Sequence, residues 1–272
     1  METSNALGDF LRAHRERITP AEVGLRPGVG VRRVPGLRRE EVAMLAGISS
    51  DYYLRLEQGR DRHPSVQVLD ALARVLGLDA DATAYMISLS QPASRAPGRP
   101  AATAIPESIR YFLDAQTVPA FVQTRWLDVL AANRMAVALS PNLVPGVNRL
   151  RQVFLDPAAR TFHRDWPEAV AHVVAGLRAD ATGHGDDPRL AALVGELSLK
   201  SQEFRELWAR HDVRRPEARL SLMHHPEVGD LDLFAEKLTI AGTDGLMLGI
   251  YHAEPGTESA RSLSLLGSLA AS

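Results

Sequence analysis

In the first ninety residues, apolar residues recur every three or four positions over several stretches, which is the spacing of one helix face. This spacing predicts five helices, over about residues 5–17, 38–46, 50–59, 65–76 and 81–90. Between the second and the third, Gly47 can end one helix and Ser49 or Ser50 can cap the next. Two short helices joined by such a turn predict a helix-turn-helix.

The helical spacing of apolar residues ends after residue 90. Residues 91–104 are rich in Pro, Ala and Gly and have no apolar period, so we interpret them as a linker. Alternating apolar and polar residues then predict five strands, over about 120–124, 126–133, 218–225, 228–240 and 245–253. With helices between and after these strands, we expect a five-helix domain at 1–90 and an α+β domain with an antiparallel five-stranded sheet at 105–272.

Composition narrows the class of protein. The chain has 272 residues, enough for two domains of about 150 residues each. It has no Cys, which excludes disulfides, thiol catalysis and cysteine-ligated zinc. It also has no run of about 20 apolar residues that could span a membrane. Because the first twenty residues lack an apolar export signal, we expect a cytoplasmic protein without a membrane partner.

Positive charge is concentrated in one segment. The net charge is -2, yet eight arginines fall within residues 26–62: Arg26, Arg32, Arg33, Arg38, Arg39, Arg55, Arg60 and Arg62. A nearly neutral chain with one arginine-rich segment is typical of a local site for a polyanion. The alternative is a general preference for arginine, since the chain has 31 Lys and Arg residues and nearly all are Arg.

The predicted helix-turn-helix indicates where residues of this segment would lie on DNA. A recognition helix inserts its N-terminal turn into the major groove, where each base pair displays a distinct set of donors and acceptors. Residues at the start of the helix before it, and just beyond the recognition helix, can bind phosphates. The residues at these positions are Arg38, Arg39, Ser50, Asp51, Tyr52, Arg55, Arg60 and Arg62. We predict that they contact DNA.

The motif RREEVAMLAGISSDYYLRLEQGRDRHPSVQVLDALARVLGLD resembles the helix-turn-helix of the XRE (lambda-repressor-like) family, and the likeness extends over about residues 7–90. The resemblance implies a sequence-specific DNA-binding transcriptional regulator with a lambda-repressor-like fold. It implies DNA contacts by Arg39, Ser49, Ser50, Asp51 and Tyr52. Such proteins usually bind palindromic sites as dimers, so we expect a homodimer on a double-stranded operator.

Other residues of this motif have a structural interpretation. We interpret Glu57, near the end of the recognition helix, as an ion-pair partner rather than a reader of bases. Of Tyr52 and Tyr53, we expect one to face inward and one outward. Arg32 and Arg33 either reach a minor groove or belong to a solvated loop, and we favour the loop.

The second half resembles the MmyB-like ligand-binding domain over residues 105–265. The segments that carry this likeness include VPAFVQTRWLDVLAAN, FLDPAARTFHRDWPEAVAHVVAGLRA and YHAEPGTESARSLSLL. The resemblance implies a PAS-like fold around a cavity for a small hydrophobic effector, with a fatty acid or related lipid as the suggested class. We expect no other cofactor.

Aromatic residues on elements that should converge on the sheet are candidates for the walls of this cavity. The candidates are Trp126, Trp166, Phe204, Trp208 and Tyr251. His211, His225, Arg210 or Arg214 could anchor a carboxylate group. Each of these residues has the alternative of an ordinary place in the core.

Two other functions remain open for the second domain. It could be a ligand-free dimerisation or partner-binding module. It could also be a metal-dependent enzyme that uses residues from the set His211, His224, His225, His252, Glu203, Glu206 and Asp212. However, the sequence has no HExxH, P-loop or GxGxxG motif, and neighbouring residues such as His224 and His225 point to opposite faces of a strand. We therefore expect neither an enzyme nor a metal site.

The two-domain layout favours regulation by linkage. A ligand that binds one dimer geometry more tightly would change the spacing of the two recognition helices, and with it the affinity for the operator.

Overall fold

The structure is a computed structural model that describes residues 5–25, 35–61, 63–91, 104–182, 184, 187–214 and 219–271. The candidate contact Arg62, the loop arginines Arg26, Arg32 and Arg33, and nearly all of the predicted linker lie outside these residues. In the described part, the N-terminal domain consists of five α-helices and a short 3-10 turn. The helices are α1 (Ala6–Arg17), α2 (Arg39–Ala46), α3 (Ser50–Glu57), α4 (Val66–Val75) and α5 (Ala80–Ser90).

Local chemistry sets the ends of these helices. The Ser49 side chain accepts a hydrogen bond from the backbone N–H of Tyr52 and caps α3, and Ser65 and Asp79 cap α4 and α5 in the same way. Gly47 ends α2 with a positive φ of 69°, which a residue without Cβ adopts at little cost. The tight connection between α2 and α3 therefore follows from Gly47 and Ser49.

The C-terminal domain combines eight described helices with a sheet. The helices are α6 (Glu107–Ala115), α7 (Arg134–Leu139), α8 (Arg149–Leu155), α9 (Ala158–Phe162), α10 (Trp166–Asp180), α11 (Pro188–Lys200), α12 (Gln202–Ala209) and α13 (Glu258–Ala271). The strands are β1 (Ala120–Gln123), β2 (Val129–Ala132), β3 (Arg219–His225), β4 (Gly229–Thr239) and β5 (Met247–His252). They pair antiparallel in the order β2-β1-β5-β4-β3.

This architecture confirms the predicted helical domain followed by an α+β domain with a five-stranded antiparallel sheet. That the second domain is PAS-like stays a prediction. No helix in the described part of the chain is both long and apolar enough to cross a membrane.

The two domains contact each other along α1 and α10. Val213, which follows α12 and is 8% exposed, is part of the apolar core of the N-terminal domain, and Ala179 of α10 packs against that core. The ring of His211 lies 6.2 Å from that of Phe10 of α1, and Asp212 pairs with Arg17 at 2.5 Å. The domains therefore share a junction built from α1, α10 and the residues after α12.

Two histidines at this junction are neutral in the folded chain. Burial, reinforced by Arg17, lowers the pKa of His14 to about 4. Burial, reinforced by Arg178, lowers the pKa of His211 to about 3. The Asp212 carboxylate acts on His14, whose pKa it raises by less than burial lowers it. In the unfolded chain both groups have a pKa near 6.5, so they contribute stability above that pH and lose it progressively below.

We expect the free energy of unfolding to fall as the pH is lowered from 6 to 5. In this range the slope approaches about 1.4 kcal/mol per pH unit for each buried histidine. Urea titrations at these two pH values should show a smaller slope for His14→Gln. The control is Arg12→Gln at an exposed position of the same helix, which removes no histidine and should keep the slope of the unmodified chain. Equal slopes for all three proteins would contradict the burial of a neutral His14.

Candidate functional site

The helix-turn-helix presents the N-terminal turn of α3 to solvent. Ser50 and Asp51 are exposed there, and their backbone N–H groups lie at the positive end of the helix. The Ser49 hydroxyl oxygen accepts from the Tyr52 N–H at 3.2 Å, so it orients the turn while its own proton remains available. An exposed helix start of this kind can bind phosphates or base edges.

Tyr52 and Arg55 form one surface on α3. The guanidinium of Arg55 lies 5.6 Å from the centre of the Tyr52 ring, and Tyr52 is half-buried against the domain core. Burial, with a contribution from Asp61, raises the pKa of Tyr52, so its phenol stays protonated and can donate a hydrogen bond. Tyr53 is fully buried, which confirms that one tyrosine of the pair faces inward.

The remaining described arginine candidates flank this turn. Arg38 is exposed at the N-cap of α2, where its backbone N–H donates to Glu41 at 2.6 Å. Arg39 begins α2 with 44% of its side chain exposed, and Arg60 is exposed just after α3. The structure thus presents these described candidates at the surface of the motif, and their contacts with DNA stay predictions.

A buried carboxylate positions Arg39. Glu57 has no exposed side-chain surface, and its two oxygens accept hydrogen bonds from Nε of Arg15 and Nε of Arg39, each at 2.6 Å. Because Arg39 is held through Nε, its two terminal nitrogens are left without a hydrogen bond among the described residues. Glu57 is therefore an ion-pair partner, as expected, and it holds one of the predicted DNA contacts in place.

The pKa of Glu57 reflects this arrangement. Burial by itself would raise it, but the hydrogen bonds from Arg15 and Arg39 outweigh burial and lower it. Arg15 also donates to the carbonyl of Leu37 at 3.0 Å, which ties α1 to the segment before α2. Arg15 is not among the residues predicted from the sequence, although it follows buried Leu11 by four positions and therefore lies on the buried face of α1.

The C-terminal domain contains a cavity of about 190 Å³ between the sheet and helices α8 and α10, partly open to solvent. The sheet contributes apolar wall from Phe121 and Ile250, and α10 contributes Val170, Val173 and Leu177. Apolar walls with a few polar groups are typical of small-molecule sites.

Arg149, the first residue of α8, is one of several charged residues that line this cavity, with Asp165, Asp180, Glu236 and Lys237. Its guanidinium donates to Oε1 of Gln123 at 2.9 Å and to the hydroxyl of Tyr251 at 3.0 Å, and it lies 4.9 Å from the centre of the Phe121 ring. Among the described residues it makes no ion pair. Since the Tyr251 oxygen accepts from Arg149, the phenol proton is available to donate to a ligand.

Of the seven predicted ligand contacts, Tyr251 lines this cavity. The cavity lining does not include the aromatic residues Trp126, Trp166, Phe204 and Trp208, which pack in the adjoining apolar cluster among the helices. There the indole N–H of Trp126 donates to Asp187 at 2.9 Å, and that of Trp166 donates to Glu203 at 3.0 Å. These four residues have the core role that was their alternative.

The predicted histidine anchors also lie away from this cavity. His211 is at the domain junction, and His225 is buried with Nε2 3.0 Å from the carbonyl of Ala138. Its neighbour His224 is exposed, so the two do point to opposite faces of β3. In the described part of the chain, no group of three His, Cys, Asp or Glu residues could hold a metal ion.

Comparison with known protein families matches both halves of the chain. The model of the MmyB-like transcription regulator ligand binding domain matches residues 105–266, more than half of the chain. The chain belongs to this MmyB-like family. A helix-turn-helix domain model matches residues 6–86. No curated protein matches the sequence.

These two matches agree with the architecture expected from the sequence. The protein is a DNA-binding transcription regulator with a helix-turn-helix followed by a ligand-binding domain of the MmyB-like family. Regulators of this kind are usually not enzymes.

We expect Arg39→Ala to weaken the binding of the regulator to DNA. It should also reduce the slope of log Kd against the logarithm of the salt concentration by about one, because each phosphate contact releases counterions. The probe is a duplex selected from a random-sequence pool by the unmodified chain. Fluorescence anisotropy between 50 and 200 mM salt measures both quantities.

The matched control is Arg74→Ala, which removes an exposed arginine of α4 outside the helix-turn-helix. It should leave the salt slope unchanged, and thermal melting should show that both variants fold. A salt slope that is the same for Arg39→Ala, Arg74→Ala and the unmodified chain would contradict a phosphate contact by Arg39.

Proposed function

We propose that the regulator responds to a small amphipathic carboxylic acid of the fatty-acid class, which binds in the cavity of the C-terminal domain. The observation that supports this most is Arg149, a half-buried guanidinium without a described ion pair beside apolar walls. A ligand carboxylate would accept charge-assisted hydrogen bonds from Arg149 and a further one from the Tyr251 hydroxyl. Its apolar part would then lie against α10.

The volume of the cavity limits the ligand. An apolar cavity of about 150 Å³ holds one benzene molecule in another protein, so about 190 Å³ fits a short acyl chain or a single ring. A longer chain would have to extend through the open side of the cavity. We therefore propose short and medium chains as the first ligands to test.

We also propose that the regulator acts as a homodimer on a palindromic operator. This rests on the helix-turn-helix, because one recognition helix reads few base pairs and two-fold symmetry doubles the contacts. A ligand bound in the cavity of the C-terminal domain would change the affinity of the dimer for that operator.

The test is a calorimetric titration with hexanoate, decanoate, hexadecanoate and neutral decanol. We expect decanoate to bind the unmodified chain more tightly than decanol. Arg149→Met should weaken decanoate binding by about 10- to 100-fold and leave decanol unchanged, since a hydrogen bond to a charged group contributes about 1.5–3 kcal/mol.

The matched control is Arg151→Met, which removes an arginine from the same helix that pairs with Glu196 at 2.8 Å and does not line the cavity. This variant should bind decanoate like the unmodified chain. Failure of every carboxylate to bind would contradict the proposal and favour the alternative of a ligand-free dimerisation module.

A further inference from the structure

Helix α10 has one face at the cavity and another at the junction with the DNA-binding domain. Val170, Val173 and Leu177 recur at helical spacing and line the cavity. Ala171 and Ala175, which are four positions apart on a neighbouring face, line a crevice of about 960 Å³ at the junction. One rigid helix therefore separates the ligand cavity from the N-terminal domain.

Arg178 holds the junction face of α10. Its side chain is buried at 3% exposure, its guanidinium stacks 3.8 Å from the centre of the Trp208 ring, and one Nη donates to the carbonyl of Trp208. The other Nη lies 3.3 Å from Nδ1 of His211. Within the described residues Arg178 has no ion pair and its Nε has no hydrogen-bond partner.

A buried cation without a paired carboxylate is held at a desolvation cost. Burial accordingly lowers the pKa of Arg178, although Tyr85 of α5 and the Asp212 carboxylate favour its charged form. The contacts of Arg178 with Trp208, His211 and Tyr85 thus span both domains.

The residues that follow α12, 211–214, form the other part of the junction, and we call them the junction segment. His211 has a positive φ of 56°, a conformation that is strained for a residue with a Cβ unless its surroundings hold it. The N–H of Arg214 donates to the carbonyl of Ala175 at 3.3 Å. Val213 inserts into the core of the N-terminal domain. The segment is thus bound to α10 by its backbone and to the DNA-binding domain by its side chains.

Helix α1 receives these contacts. Phe10, His14 and Arg17 face the junction segment. The same helix carries Arg15, whose partner Glu57 holds Arg39 of the DNA surface. The junction segment therefore contacts the helix that helps to position a predicted DNA contact.

We propose that α10 and the junction segment couple the cavity to the DNA-binding domain, so that occupation of the cavity changes DNA affinity within one chain. This inference rests on the proposed function, because that function identifies the ligand that occupies the cavity. It differs from regulation by dimer geometry alone, because the coupling passes through contacts inside the chain.

The test is a double-mutant cycle that uses no ligand. Val173→Phe fills the cavity from α10, and Val213→Asp separates the junction. The affinity of each single variant and of the double variant for a selected DNA duplex is measured by fluorescence anisotropy at fixed salt. We expect Val173→Phe to change Kd by about 5-fold or more, and by less than about 2-fold when Val213→Asp is present.

The matched control combines Val173→Phe with Leu199→Asp, which places the same charge on an 86% exposed leucine of α11. The effect of Val173→Phe should persist in that background. Where melting shows that Val213→Asp disturbs the N-terminal core, Val213→Ala replaces it with the same criteria.

Two results would overturn the proposal. One is an unchanged Kd for Val173→Phe, and the other is an equal effect of Val173→Phe with and without an intact junction. Decanoate titration of the unmodified chain separates this outcome from the proposed function. If decanoate binds but the effects of the two substitutions on Kd for DNA are additive, the coupling is rejected. If these effects are not additive and decanoate does not bind, only the ligand class is rejected.

Discussion

A charge removed from water must be compensated inside the protein, and this constraint organises each working part of the regulator. Glu57, with no exposed side-chain surface, is compensated by Arg15 and Arg39, and this fixes α1, α2 and α3 relative to one another. Replacing Glu57 would leave the buried guanidinium of Arg15 without this carboxylate, at a typical cost of about 3–5 kcal/mol. The surface that we assign to DNA therefore depends on a contact in the interior.

The same constraint applies to Arg149 and Arg178 of the C-terminal domain, whose charges are compensated without a carboxylate partner among the described residues. Arg149 is compensated by neutral groups, the Gln123 amide oxygen and the Tyr251 hydroxyl, and so it retains capacity for an anion. Arg178 is compensated by an aromatic face and a carbonyl at the domain junction. The first arrangement favours the binding of a carboxylate, and the second holds α10 against the end of α12 at the junction.

Periodicity and capping residues predicted the helices and strands because these elements depend on local chemistry. Gly47 and Ser49 set the turn between α2 and α3, and alternation of polar and apolar residues set the late strands. The cavity wall depends on which elements face each other. Sequence spacing does not distinguish an aromatic residue that lines a cavity from one that packs in the core. Tertiary packing places four of the candidates in a core cluster: Trp126, Trp166, Phe204 and Trp208.

Other residues left little or no signal in the sequence. Arg149 is one arginine among many, and its neighbours in the sheet come from distant parts of the chain. His211 is a junction residue because α12 ends beside α1, which no local pattern indicates. Arg15 is the exception, since a charged residue on the apolar face of α1 predicts a buried partner.

Coupling through α10 and the junction segment would link the ligand cavity and the DNA surface thermodynamically. The most direct measurement is reciprocal: Kd for the selected duplex with and without saturating decanoate, and Kd for decanoate with and without the duplex. Linkage requires the same factor in both directions, and we expect a factor of about 5 to 150. Binding of both ligands with a factor of one would contradict it.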